Sequence, residues 1–222
     1  MLQPSTIQFL QKLKKNNNKE WFEKNRSTYE LAKKDFIFFI ENVINELKKK
    51  DTTLQHLEAK SCIFRINRDV RFSKNKTPYK TNFGASISKG GKKVSEAGYY
   101  LHIEPGQSFI GGGFWMPMGE ELKKIRQEID YNLDEFQKII SSKKFIQEFG
   151  GLEKSKEYLL SRPPKGYDID NPAIEYLKFK SFIVSAKIED VDLTNKSFLK
   201  KVVSSFETMI PFIYFLNRAI EN

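Results

Sequence analysis

A chain of 222 residues can bury about 70% of the surface its unfolded form exposes, so it needs no disulfide or metal to hold a core. One cysteine excludes an intramolecular disulfide, and one cysteine with two histidines (His56 and His102) excludes the usual zinc sets. Thirty-eight Lys and Arg against 28 Asp and Glu give a net charge of +10, which favours anionic partners in general without selecting one.

In chain order, Ser5 or Thr6 is expected to cap a first helix with Ile7, Leu10 and Leu13 on one face. Asn16-Asn17-Asn18 breaks it. From Lys19 the apolar positions Trp21, Phe22, Tyr29, Phe36, Phe39, Ile40, Val43, Ile44 and Leu47 predict helix, with a break near Asn25-Arg26 and an end at Lys48-Lys49-Lys50. Those lysines suit the negative end of the helix dipole. Asp51 to Ala59 reads as a connector. Cys62, Phe64 and Ile66 alternate with Ile63, Arg65 and Asn67, which predicts a strand over residues 61–67. Arg68 to Asn75 follow as an irregular loop, closed by Thr77-Pro78.

Phe83, Ala85 and Ile87 predict a second strand, and residues 89–92 a turn. Gly98 to Glu104 and Gln107 to Trp115 predict two strands joined at Pro105-Gly106. They put Leu101 and Ile110 on an apolar face and Tyr100, His102, Glu104 and Phe109 on the other. Gly111-Gly112-Gly113 strips side chains from the returning strand, which marks a bulge or a close approach. It is either a pocket floor or a place where a helix, or the ring of Trp115, packs closely. Residues 119–129 and 133–140 predict helices, and Gly150-Gly151 a stop. Residues 162–167 are irregular, and Asn171-Pro172 opens a short helix through Leu177. Residues 179–186 predict a strand. The last helix, from about Ser197 to Glu221, should kink at Pro211.

This order predicts one α+β domain over residues 1–222. It has a mainly antiparallel sheet packed by helices, N-terminal helices and a long C-terminal helix. A Rossmann fold is excluded, since no Gly-x-Gly-x-x-Gly turn is present. Nineteen phenylalanines predict an aromatic core. No signal peptide or membrane span is read, so the expected location is the cytoplasm. No cofactor or metal is called for.

The segment Lys60–Lys80 holds seven cations (Lys60, Arg65, Arg68, Arg71, Lys74, Lys76, Lys80) and one anion, Asp69. Like charges this close repel unless something neutralises them. One reading is a structural network in which Asp69 pairs with an arginine and Tyr79 packs on a guanidinium. The other is a site for phosphate or carboxylate on a small molecule. There Arg65, Arg68, Arg71 and Lys76 bind, Asp69 holds an arginine in place, and Tyr79 stacks or donates. A third is a hydrolase of a phosphate-bearing substrate, with Glu104 or His102 as general base, Asp69 as a second carboxylate and Tyr100 beside them. A fourth reading, ranked behind a small anion, is nucleic-acid binding through a basic stripe with accessible aromatics.

Several stretches resemble a widespread bacterial family known as domain of unknown function 2461. The first is Arg65-x-x-Arg68-Asp69-x-Arg71-Phe72-x-x-Asn75-Lys76-x-x-Tyr79. The others are Tyr99 to Gly106, Gly111 to Pro117, and Arg162-Pro163-Pro164-Lys165-Gly166-Tyr167. The resemblance covers nearly the full length. It implies a single α+β domain of about this size and supplies no activity.

Overall fold

The computed structural model describes residues 1–221. Its helices are α1 (Pro4–Lys15), α2 (Lys19–Lys24), α3 (Arg26–Leu47), α4 (Ala59–Cys62), α5 (Gly119–Tyr131), α6 (Leu133–Ile140), α7 (Lys143–Phe149), α8 (Ile174–Leu177) and α9 (Phe198–Glu221). Four strands, β1 (Phe83–Ile87), β2 (Gly98–Ile103), β3 (Phe109–Phe114) and β4 (Phe182–Lys187), form one antiparallel sheet in chain order. The fold is α+β, with the helices at the N-terminus and the long C-terminal helix where the periodicity puts them.

The chain forms two compact units. The first comprises Met1–Lys93, Tyr100–Ile110 and Lys187–Ser204; the second comprises Val94–Tyr99, Gly111–Ala186 and the chain from Ser205. In the first unit, α1 starts two to three residues earlier than a Ser5 or Thr6 cap would allow. Pro4 occupies its first turn, and Asp35 of α3 supplies the missing acceptor, taking the Gln3 amide at 2.9 Å and the Thr6 hydroxyl at 2.6 Å. Asn18 caps α2 by accepting from the Trp21 amide at 2.9 Å. These caps fix the angles at which α1 to α3 bring their aromatic rings together. Phe9 lies 6.5 Å from Phe22, 5.8 Å from Tyr29 and 6.4 Å from Phe83, and Phe36 stacks on Phe83 at 5.3 Å. This cluster holds β1 against the helices.

The expected strand over residues 61–67 is not formed as such. Ser61 turns its hydroxyl back to the Glu58 carbonyl at 2.7 Å, which closes the turn α4. The chain then pairs with the single stretch 78–85, in two registers. Ile63 bridges Ala85 in β1, and Asn67 bridges Tyr79. The amide of Phe64 donates to Gly84, that of Lys80 to Ile66 and that of Arg68 to Pro78. Because the register shifts by two residues between these bridges, the segment makes no continuous ladder; Cys62 and Ile66 are buried, but so is Ile63, and Phe64 is only half-buried.

In the second unit the core is again phenylalanine. Phe136 lies 5.2 Å from Phe215 and 5.3 Å from Tyr176, and Phe145 packs edge-on to Phe212 at 5.6 Å. α9 continues through Pro211. Strand β4 begins three residues later than the alternation predicts, because the Phe179 amide closes the α8 turn on the Tyr176 carbonyl and Arg126 takes the carbonyls of Leu177 and Phe179. The glycine run is explained by close approach. A Cβ on Gly112 would meet Met209 of α9, and one on Gly113 would meet the Phe182 carbonyl of β4. Trp115 is 67% exposed and is not the packing group. Among the described residues no helix is long and apolar enough to cross a membrane, and no group of His, Cys, Asp and Glu could hold a metal ion.

Candidate functional site

The paired stretch of residues 63–68 and 78–85 is a short ribbon in the first unit, with residues 68–77 as its loop. Most of the loop's charged side chains hold it in shape. The Arg68 guanidinium donates to the Thr77 carbonyl at 3.2 Å, to the Thr77 hydroxyl, and to Ser73 at 3.3 Å. Asp69 takes Arg71 as a fork, with Nε at 3.0 Å and Nη2 at 2.7 Å, and the Arg71 guanidinium holds its carboxyl below the usual range. Lys76 donates to the Val70 carbonyl at 3.0 Å and to that of Arg71 at 3.5 Å. Asn75 accepts from both the amide and the hydroxyl of Thr77.

Arg65 and Lys80 are different. Neither makes a side-chain hydrogen bond or an ion pair among the described residues. The Lys80 ammonium lies 5.2 Å from the centre of the Phe64 ring. Burial pushes its pKa down, and the neighbouring Arg65 pushes it further the same way. Asp69 feels Arg65 but is engaged with Arg71.

Tyr79 does not lie on a guanidinium of the loop. Its ring is 6% exposed and stacks on Phe22 at 3.9 Å with 15° between planes. Asn17 fixes its backbone on both sides, donating to its carbonyl at 2.9 Å and accepting from its amide at 3.1 Å.

Beside the ribbon, β2 and the residue that follows it carry Tyr100, His102 and Glu104 on one face, as the alternation predicts. His102 Nδ1 faces the Tyr100 hydroxyl at 3.2 Å and the Asn82 amide at 3.4 Å, and its Nε2 faces Glu104 Oε2 at 3.1 Å. The tautomer that satisfies all three carries its proton on Nε2. Thr81 donates to the other Glu104 oxygen at 2.6 Å. The Phe109 ring stacks on His102 at 4.8 Å. A Cβ at Gly84 would sit 2.6 Å from the Tyr100 hydroxyl, so glycine there lets the phenol lie across β1. Burial, reinforced by Glu104, pushes the Tyr100 phenol up to about 12, so it stays a donor at neutral pH. Both Glu104 oxygens are thus taken by Thr81 and His102 and not by the arginines of the loop. The two groups adjoin through Lys80 and Thr81 in sequence and through Phe64, which packs edge-on to Tyr100 at 6.3 Å.

A family model described as Conserved hypothetical protein (DUF2461) matches residues 5–215 of the chain. The chain belongs to this family. No curated protein and no solved structure matches it. The DUF2461 match takes in the ribbon, β2 and the segment 162–167, where Arg162 and Lys165 are exposed and Pro164 is buried. Of the DUF2461 residues singled out from the sequence, the fold brings Arg68, Asp69, Arg71 and Lys76 into one self-contained loop, and Tyr100, His102 and Glu104 into one hydrogen-bonded chain. Lys80 and Thr81 were missed as site residues. The signal for them was their place directly after Tyr79, across the ribbon from Arg65 and Ile66.

Arg68→Gln removes a charged donor from three loop acceptors. We expect chemical denaturation to show a loss of about 1–2 kcal/mol, typical of a hydrogen-bonded charge in a half-exposed setting. Unchanged stability would mean that the loop does not depend on Arg68.

Proposed function

We propose that this protein binds a phosphate- or carboxylate-bearing ligand through Arg65 and Lys80. The observation that carries the reading is the division of labour among the cations. Arg68, Arg71 and Lys76 are engaged inside the loop, whereas Arg65 and Lys80 make no side-chain hydrogen bond or ion pair among the described residues, although each lies on the ribbon within electrostatic range of the other. A bound oxyanion would relieve their repulsion, and the Arg65 guanidinium offers it a planar fork. A hydrolase acting on a phosphate-bearing substrate is the second reading. It is favoured by the His102–Glu104 pair, which Thr81 and Phe64 connect to Lys80.

The test is thermal unfolding with inorganic phosphate, pyrophosphate and dicarboxylates at fixed ionic strength. A compound at 100 times its dissociation constant should add about 2.7 kcal/mol. The double variant Arg65→Gln/Lys80→Gln should keep its fold and lose the shift. An equal shift in that variant, or no shift with any compound, would remove the proposal.

A further inference from the structure

We infer that the bound anion is part of a nucleic-acid strand, with Phe72 at the loop tip as the platform on which a base stacks. The inference rests on the anion-site reading and adds the chemistry of the rest of the ligand.

Phe72 is 95% exposed, more than any other large apolar side chain in the described chain. A lone exposed phenylalanine is ordinary on a floppy loop. This loop is not built as one. Arg68 ties its two arms together through Thr77 and Ser73, the Asp69–Arg71 fork sets one shoulder, and Lys76 holds the carbonyls of Val70 and Arg71. These bonds bracket residue 72 on both sides and present its ring to solvent. The Arg71 guanidinium lies 5.8 Å from the ring centre, so a cation already borders the π system. Lys74 is exposed two residues further on and has no partner among the described residues. Arg65 and Lys80 are the free cations at the base of the ribbon.

A planar π surface at the loop tip, with exposed Lys74 two residues on and the cations Arg65 and Lys80 along the ribbon, matches the two halves of a single strand. The base stacks without regard to sequence, and the phosphates meet the positive groups. The same composition suits an anionic membrane less well. Inserting one ring into lipid would carry the Asp69 carboxylate and its Arg71 partner toward the hydrocarbon, and a charge there is expensive. The net charge of +10, with +6 of it within Lys60–Lys80, adds long-range attraction to a polyanion.

The experiment is fluorescence anisotropy at low salt with a labelled oligothymidylate of about eight nucleotides, within the site size of such proteins. An abasic deoxyribose-phosphate oligomer of the same length is the control. The wild type should bind the oligothymidylate more tightly than the abasic chain. Phe72→Ala, a change at a fully exposed position, should weaken the oligothymidylate about five- to a hundred-fold and leave the abasic chain unchanged. Arg65→Gln/Lys80→Gln should weaken both. If the abasic oligomer binds as well as the oligothymidylate, or if Phe72→Ala binds both as the wild type does, base stacking is wrong and the anion site stands. If neither oligomer binds and pyrophosphate gives no thermal shift, both readings fall. If vesicles of phosphatidylglycerol and phosphatidylcholine are bound through Phe72 while the oligothymidylate is not, the tip is a membrane contact and the inference is overturned.

Discussion

Gly113→Ala is expected to destabilise the protein by about 3–5 kcal/mol in chemical denaturation. Gly113 has φ of +115°, a backbone region in which side-chain-bearing residues are strained by about 1–3 kcal/mol. A Cβ there would also press on the Phe182 carbonyl, and the Ile183 Cα would lie only 2.9 Å away. Both atoms are backbone, so the contact can be relieved only by moving β4 off β3, which adds an overpacking penalty of about 1–3 kcal/mol. Gly112→Ala is the internal comparison. Its Cβ would meet the sulfur of Met209, the far end of a flexible side chain, with the Gly98 carbonyl at 3.0 Å. Methionine can change rotamer, so this substitution should cost about 1–2 kcal/mol. If Gly113→Ala proves no worse than Gly112→Ala, the β4 backbone is not what requires glycine there.

The elements that could be read directly are those whose periodicity and packing agree. α1, α3 and α9 carry apolar stripes at helical spacing and bury them. β1 to β3 alternate, and the hairpin keeps Leu101 and Ile110 inside while Tyr100, His102 and Phe109 face away. The glycine run could be read as a close approach, but the approaching groups come from residues 182 and 209, far along the chain, and nothing local names them. The segment after Ala59 misled for a related reason. Its alternation in sequence is real, but whether alternation becomes a strand depends on whether the partner keeps one register along its length, and here the register shifts by two residues between Ile63–Ala85 and Asn67–Tyr79.

The site divided in the same way. Seven cations look equivalent in the sequence. Which of them are free is decided by the loop's own carbonyls and hydroxyls. Asp69 reaches Arg71 locally, two residues away, but Thr77, Ser73 and Val70 lie within reach of Arg68 and Lys76 only after the ribbon has closed. Arg65 and Lys80 sit on the ribbon proper, where the backbone bonds are already used in pairing, and so keep their charges for something else. The chain Tyr100–His102–Glu104 needed only the period of a strand, and it was legible for that reason.

Tyr79 separates the roles of anchor and ligand donor, and its replacement is the second large effect we expect. The ring packs face to face on Phe22, and Asn17 clamps its backbone, so Tyr79 joins the ribbon to α2. Tyr79→Ala should cost about 3–4 kcal/mol in chemical denaturation, the range for removing a buried aromatic ring. Since the ring seats the arm that carries Lys80, this variant should also lose the pyrophosphate-induced thermal shift. Tyr79→Phe keeps the stack and removes only the hydroxyl. It should cost under about 1 kcal/mol and retain the shift. Together the two variants distinguish a packing role from a chemical one. If Tyr79→Phe abolishes the shift with its stability intact, the phenol itself touches the anion, and the place of Tyr79 in the site is that of a donor and not of the peg that holds Lys80 in position.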